Sequence, residues 1–297
     1  MMNNSAHAQL RWRPGIPVIY GGERTIYIGD HRVAMDLSAD EVAWLCSLAD
    51  TGTDTDIGLV GSEPRAKAIV NYLHGLGVLA PQTECWWLSP HARTALQPHV
   101  LALSEWHPDP QSAIAARTTW RIGIHGCGSL ADAIAALLVD CGLTVADPQD
   151  ADLIVVVGSH GINAPEALLP AEETEPPLVG DRPHLPVSAY RAHASVGPLV
   201  VPGRTPCLNC LHLHRCDSDP QWPQLVDQWR AAQLALGFDS DPLVSWQAAN
   251  SAVAMVRHWI DSARNTPAHR IQWRFPHPLP TYEVPTPHPA CGCGWAG

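Results

Sequence analysis

TWRIGIHGCGSLADAIAALLVDCGLTVADPQDADLIVVVG, residues 119–158, decides the fold. TWRIGIH reads as a buried strand and GCGSL as a tight turn. LADAIAALLVDCG is a helix apolar almost all round, as expected of one lying under a sheet. LTVAD is a second strand. DLIVVVG is a third, and because it alternates so little it is expected at the centre of the sheet. Strand, glycine turn, helix, strand is how a mononucleotide-binding α/β unit begins.

The turn carries half of a dinucleotide fingerprint. Gly126 and Gly128 supply the first two small positions and Ala131 the third. Asp147 stands about twenty residues on, at the end of the second strand, where an acidic side chain would meet a ribose. The rest of a phosphate site is missing. Phosphoryl chemistry needs cationic clamps and a magnesium site. Lys67 is the only lysine of the chain, so the α/β half has none and a Walker loop is impossible. Only PQDA separates Asp147 from Asp152, which leaves no room for a helix or a phosphate-gripping loop. ATP is therefore not expected, and Gly126, Gly128 and Asp147 are read as a vestigial nucleotide site.

Downstream, HLPVSAY and VGPLVVPG read as further strands, PLVSWQAANSAVAMVRHWID as a long helix, and RIQWRFP and PTYEVP as terminal strands. Upstream, the reading gives strand, strand, strand, helix, helix, helix. IPVIY and TIYIG flank GGER, a hairpin signal. RVAMDL is the third strand. SADEVAWLCSLADTG opens with a capping box of Ser38 and Glu41, and Val42, Leu45, Cys46 and Leu48 make one apolar face. TDIGLVGS is a short helix. SEPRAKAIVNYLHG is capped by Ser62, with Pro64 in its first turn. Three short strands and three helices suggest a small winged-helix module. The domain reading is residues 1–82 for that module, 83–118 for a loose linker rich in breakers, and 119–297 for the α/β domain.

Composition narrows the functions. The net charge is −11 over 297 residues. The first eighty residues hold nine acids and six bases. Nucleic-acid affinity rests largely on neutralising phosphates, so such a partner is disfavoured. No run reaches the roughly eighteen apolar residues of a membrane span, and the first residues have no signal-peptide core. The expected location is the cytoplasm, where cysteines are thiols or metal ligands.

Two cysteine pairs stand out among the nine cysteines. Cys207 and Cys210 form a C-x2-C knuckle. Cys291 and Cys293 form a C-x-C pair in a glycine-rich tail. Four thiolates suit a closed tetrahedral zinc site, which has no open position for water and is therefore structural. The long chain between the pairs is no obstacle, because closure entropy grows slowly with length. His212, His214, Cys216 and His288 rank below them as ligands. Cys46, Cys127 and Cys141 read as buried packing residues.

GPLVVPGRTPCLNCLHLHRCDSDPQWPQL (197–225), followed by HPACGC (288–293), resembles the ThiF-like cyclodehydratase-associated proteins of thiazole/oxazole-modified peptide (TOMM) pathways. These are leader-peptide-binding components of ribosomal peptide (RiPP) biosynthesis. The resemblance implies a Rossmann-like fold of the ThiF, MoeB and ubiquitin-activating superfamily. It also implies zinc on Cys207, Cys210, Cys291 and Cys293, and a PqqD-like winged-helix recognition element at the front. In adenylating relatives an Asp matching Asp147 is followed by an Arg–Asn-type segment and a Lys that handle ATP. Here both are absent, so the resemblance implies a scaffold that has lost adenylation.

That reading is of a binding protein rather than a catalyst. It presents a leader peptide to a separate YcaO-type enzyme, and a homodimer is compatible with it. The peptide would add a strand beside RVAMDL, with the helix from Pro64 as the other wall. Arg32, Val33, Met35, Lys67, Asn71 and Tyr72 are the candidate contacts. Three other readings compete with it. They are a ThiF-type adenylyltransferase using ATP, a winged-helix DNA-binding regulator, and a scaffold with another protein client.

Overall fold

The structure is a computed structural model, and it describes residues 10–13, 15–20, 26–33, 36–51, 64–81, 99, 102–103, 106–107, 110–158, 181–226, 228, 240–262 and 269–294. The chain divides into two compact units, residues 1–111 and 112–297.

In the first unit, β1 (Leu10–Trp12) precedes a three-stranded antiparallel sheet of β2 (Val18–Tyr20), β3 (Ile26–Ile28) and β4 (His31–Arg32), in that order. The hairpin read from IPVIY and TIYIG is present, with Ile19 opposite Tyr27. The third strand is shorter than expected: β4 ends at Arg32, although the Val33 N–H still donates to Ile26 O at 2.8 Å. Helix α1 (Ala39–Thr51) starts on the capping box. Glu41 N–H donates to Ser38 Oγ at 3.2 Å, and Ser38 N–H donates to a Glu41 carboxylate oxygen at 2.7 Å. Helix α2 (Pro64–Gly75) buries Ile69 and Leu73. β5 (Leu79–Pro81) then returns antiparallel to β1. Three-residue strands such as LRW and LAP show no measurable period, so β1 and β5 escape a sequence reading. Trp12, Ile28, Leu45, Leu48, Ile69 and Leu73 are the centre of this unit's core. TDIGLVGS and the Ser62 cap lie outside the described residues.

The division falls within α3 (Pro110–Thr119), whose residues from Ser112 onward open the second unit. The segment expected to be a loose linker therefore ends in a helix. Its Arg117 is 1% exposed and grips Asp261 with two hydrogen bonds of 2.7 Å. Next come β6 (Arg121–His125), α4 (Ser129–Asp140), β7 (Thr144–Ala146) and β8 (Leu153–Gly158). β6 runs parallel to both β7 and β8, and β8 is parallel to β9 (His184–Tyr190). β10 (His193–Val196), β11 (Arg270–Arg274) and β12 (Thr281–Glu283) extend the sheet antiparallel. The seven strands lie in the order β12-β11-β10-β9-β8-β6-β7. This is a mixed α/β sheet whose parallel half is wired as a Rossmann-like unit.

DLIVVVG is buried between β6 and β9, as its composition predicts. VGPLVVPG is not a strand; it contributes only an isolated bridge from Val200 to His184, and β10 ends where it begins. α4 is less evenly buried than its sequence suggests. Leu130, Ala131, Ile134 and Leu138 face the core, while Val139 is 61% exposed. Helix α5 (Leu208–Ser218) carries the cysteine knuckle. Helix α6 (Pro242–Asp261) starts on Asp241, whose carboxylate accepts the Leu243 N–H at 2.9 Å. α4 and α6 together cover one face of the sheet.

The link from β7 to β8 has to cross β6, which lies between them. A crossover between parallel strands usually needs a dozen or more residues, as a rule in a helix. Here residues 147–152 suffice because they lie flat on the strand. A Cβ placed on Gly123 would sit 2.7 Å from Pro148 Cα and from Ala151 Cβ. Ile122 and Ile124 point to the α4 and α6 side of the sheet, so the crossing is on the opposite face.

Candidate functional site

Cys207 caps the N-terminus of α5, and Cys210 follows within the first turn, so both thiols belong to one helix end. Cys291 and Cys293 stand beside and in a single 3-10 turn, Gly292–Gly294, near the end of the chain. The fold brings the two pairs together. Sγ–Sγ distances are 3.8 Å for Cys207–Cys210, 3.5 Å for Cys207–Cys291 and 3.3 Å for Cys210–Cys293. All four sulfurs lie within 4.8 Å of one another. A tetrahedron with metal–sulfur bonds near 2.3 Å has edges of about 3.8 Å, so the four sulfurs surround a point that suits a metal ion. The four cysteines named from spacing alone are thus one cluster.

Burial pushes the Cys207 and Cys210 thiols up, because a thiolate there would lose its hydration. Burial opposes ionisation of Cys291 too, but the Cys293 backbone N–H and the Asn209 side-chain amide lead the groups that outweigh it, bringing Cys291 down to about 7. Asn209 Nδ2 donates to Cys291 Sγ at 3.4 Å.

The other candidate ligands are engaged elsewhere. Cys216 Sγ and His212 Nε2 pair with each other at 3.4 Å along α5. His214 Nε2 meets the Thr286 carbonyl at 3.1 Å. His288, buried at 7% exposure, places Nε2 2.9 Å from Asp217 Oδ2. Asn209, Asp217 and His288 as partners of the cluster have no sequence signal beyond their nearness to cysteines. Among the packing cysteines, Cys46 and Cys141 are half-buried, but Cys127 is exposed at the tip of its turn, contrary to the expectation of burial. A glycine-flanked turn leaves the strand before any neighbour can cover it.

At the β7 edge of the sheet, the glycine turn and Asp147 occupy the carboxyl ends of the adjacent parallel strands β6 and β7. Gly126 has φ 127°, and a Cβ there would stand 2.4 Å from Val157 O, so only glycine lets the turn pass β8. Gly128 has φ 95°, and a Cβ there would meet no atom within 4 Å, which leaves the start of α4 open. Asp147 closes its own turn: Oδ1 accepts the Gln149 N–H at 2.8 Å and its carbonyl accepts the Asp150 N–H at 3.0 Å. Arg182 Nη1 donates to the carbonyls of Pro148, Gln149 and Ala151 at 2.8, 3.1 and 3.3 Å. It fastens the short crossing from thirty-odd residues away, and nothing in the sequence announces it.

In the first unit, Arg32 is exposed on β4, the outer strand of its sheet, and Val33 is half-buried against the core. Met35 lies outside the described residues. On α2, Lys67 and Asn71 stand one turn apart on the same face, and Tyr72 follows. Arg65 ties the start of α2 to the segment after β4. Its Nε donates to Glu41 at 2.9 Å and its Nη2 to the Asp36 carbonyl. The bond to Arg65 holds the Glu41 carboxyl below its usual range, with the Ser38 backbone N–H assisting.

No described helix is long and apolar enough to cross a membrane. No family model matches the chain, and no curated protein matches it. Solved structures do. The heterocyclase TruD superposes over 96% of this chain with TM-score 0.65 and 21% identity. A heterocyclase in complex with substrate and cofactor also matches over 96%, at 0.62 and 19%. This chain spans less than half the length of those two, 43% and 39%. MccB of E. coli, solved with ATP, matches at TM-score 0.63 and 14% identity, over 96% of this chain and 99% of its own. Across nearly its whole length, then, this chain is similar in fold to part of TruD and to almost all of MccB.

Proposed function

We propose that this protein binds and presents the leader peptide of a ribosomally made precursor, and that a YcaO-type enzyme in trans performs the ATP-dependent step. The observation that carries the reading is the likeness to the heterocyclase TruD over 96% of this chain. MccB supports the peptide part, having been solved with MccA. In this reading the first unit is a PqqD-like winged-helix recognition element. The edge of β4 at His31 and Arg32, which pairs with no further strand among the described residues, receives the peptide as an added strand, main chain to main chain. Lys67, Asn71 and Tyr72 supply side-chain contacts from α2, and Arg32, Val33 and Met35 supply them from the strand.

The second unit is a ThiF-like platform clipped by zinc. Four soft thiolates without a carboxylate or imidazole among them favour zinc over magnesium or calcium. With all four positions filled by sulfur, the ion would hold Cys291 and Cys293 to α5 and do no chemistry. A homodimer is part of the proposal, as is a cytoplasmic location.

Calorimetric titration of the full chain with precursor peptides encoded beside its gene tests the reading. Micromolar or tighter binding, weakened at least tenfold by Arg32→Glu with Lys67→Glu, is the expected result. A folded chain that binds none of them sinks it.

A second reading has one specific observation in its favour. Gly126, Gly128 and Asp147 stand at adjacent strand ends, in a fold shared with an MccB solved with ATP. Against it, Asp147 is engaged in its own turn and residues 148–151 lie flat against β6. ATP–pyrophosphate exchange separates the two. The presenting role predicts none, and exchange abolished by Asp147→Ala would establish adenylation.

A further inference from the structure

His288 makes four contacts that converge on the sulfur cluster. Its Nε2 meets Asp217 Oδ2, in the last turn of α5, at 2.9 Å. Its Nδ1 accepts the Ala290 N–H at 3.1 Å. Its carbonyl accepts the Cys291 N–H at 2.9 Å. Its own backbone amide is directed at Cys210. The Ala290 bond takes the Nδ1 lone pair, so the ring proton resides on Nε2 and is donated to Asp217. Neither nitrogen is left to bind a metal.

The geometry does something else. The ring fixes the turn that aims Cys291, and Asp217 fixes the ring to the helix that bears Cys207 and Cys210. His214 packs edge-on against the His288 ring, centroids 4.7 Å apart, and holds Thr286 just upstream. The tail is thereby seated by contacts that need no ion. We propose that His288 is a positioning residue that preassembles the four-sulfur cluster, and that Asp217 acts on the cluster through it. This rests on the metal-centre reading. Bringing the tail's two sulfurs to α5 in advance removes an ordering cost that the ion would otherwise meet on binding, so affinity rises without a further ligand.

The test is zinc affinity of the full chain by competition with a chromophoric chelator, for the unaltered protein and for His288→Ala, Asp217→Ala and Asp217→Asn. Groups that hold a metal ligand in place are worth about ten- to a hundredfold in metal affinity. A loss in that range is expected for His288→Ala, and a smaller one for Asp217→Ala, which acts only through His288 and is 72% exposed. Asp217→Asn keeps an acceptor oxygen and is expected to restore most of the binding, which a general packing defect would not do. Unchanged affinity in both alanine variants overturns the proposal.

If the unaltered chain takes up no zinc, the metal reading fails and a second measurement still judges the preassembly. Metal-free protein is treated with diamide, which takes two electrons and two protons from a thiol pair and becomes the hydrazine. The disulfide formed between Cys207 and Cys291 is followed by peptide mapping. Faster closure in the unaltered chain than in His288→Ala supports preassembly, and equal rates overturn it.

Discussion

Among single residues, the four cysteines of the cluster set the chemistry of the α/β unit, with all their sulfurs within 4.8 Å of one another. Soft ligands at C-x2-C and C-x-C spacing identify themselves, because few other arrangements of cysteine are useful in a reduced chain. What the spacing withholds is the company they keep. Asn209 donates to the Cys291 sulfur and His288 accepts the Cys291 N–H, and no spacing along the chain announces either contact. Zinc binding at such a site is folding free energy. About one zinc per chain is expected by elemental analysis, and Cys207→Ser, or chelation, is expected to lower the melting temperature of the α/β unit. A second prediction concerns His184 at the start of β9. Burial holds its pKa below the ordinary histidine value, although the Arg182 carbonyl, 3.0 Å from Nδ1, works in the other direction. The unfolded chain therefore takes up the proton first. The stability tied to this group is complete above about pH 6.5, the unfolded value, and is lost as the pH falls through the lower folded value. His184→Gln should flatten that part of the stability curve, measured by urea unfolding at stepped pH.

For the helices, strands and turns, short-range chemistry was legible and long-range placement was not. The Ser38–Glu41 box could be read because both halves are local, three residues apart. Ser38→Ala is expected to cost the first unit about 1 kcal/mol, visible in denaturant melts. The long helix from Pro242 was equally plain. The crossing from β7 to β8 was readable only as an absence of space. That it succeeds depends on Gly123, where the incoming chain leaves no room for a side chain. Gly123→Ala must push Pro148 and Ala151 aside, at roughly 1–3 kcal/mol by comparison with overpacked cores. Gly128→Ala meets no atom and suffers only from its backbone, whose φ of 95° with ψ of 180° is nearly confined to glycine, at about 1–3 kcal/mol. Urea unfolding of the two variants separates crowding from backbone strain.

Taken whole, the second unit is closed by contacts between its beginning and the end of its longest helix. Arg117 on α3 and Asp261 at the end of α6 are both almost fully buried and joined bidentately. Arg257 reaches the same carboxylate at 3.4 Å. Removing Asp261 leaves the Arg117 charge unpaired in the core, which costs about 3–5 kcal/mol. Asp261→Ala should destabilise to that degree, and Arg117→Ala less, because Arg257 still reaches the carboxylate. Arg117→Met with Asp261→Leu should be milder than Asp261→Ala, because the charge left behind, on Arg257, has access to solvent. A double-mutant cycle in urea measures the difference. The pair is invisible in sequence, since the helix end AMVRHWID and the helix PQSAIAARTT say nothing of each other.

Read alone, the chain of amino acids settles the glycine turn, the central strand, the long helix, both halves of the sulfur cluster and the lack of lysine clamps in the α/β half. These rest on local periodicity, composition and ligand type, which act over a turn or a strand. It took the packed molecule to establish that β12 and β7 are the sheet's edges among the described residues, that most of α3 belongs to the α/β unit, that Arg182 ties the crossing down and that His288 faces Asp217. Each of these is a meeting of residues distant in the chain, and such meetings follow from how layers pack rather than from any pattern along it.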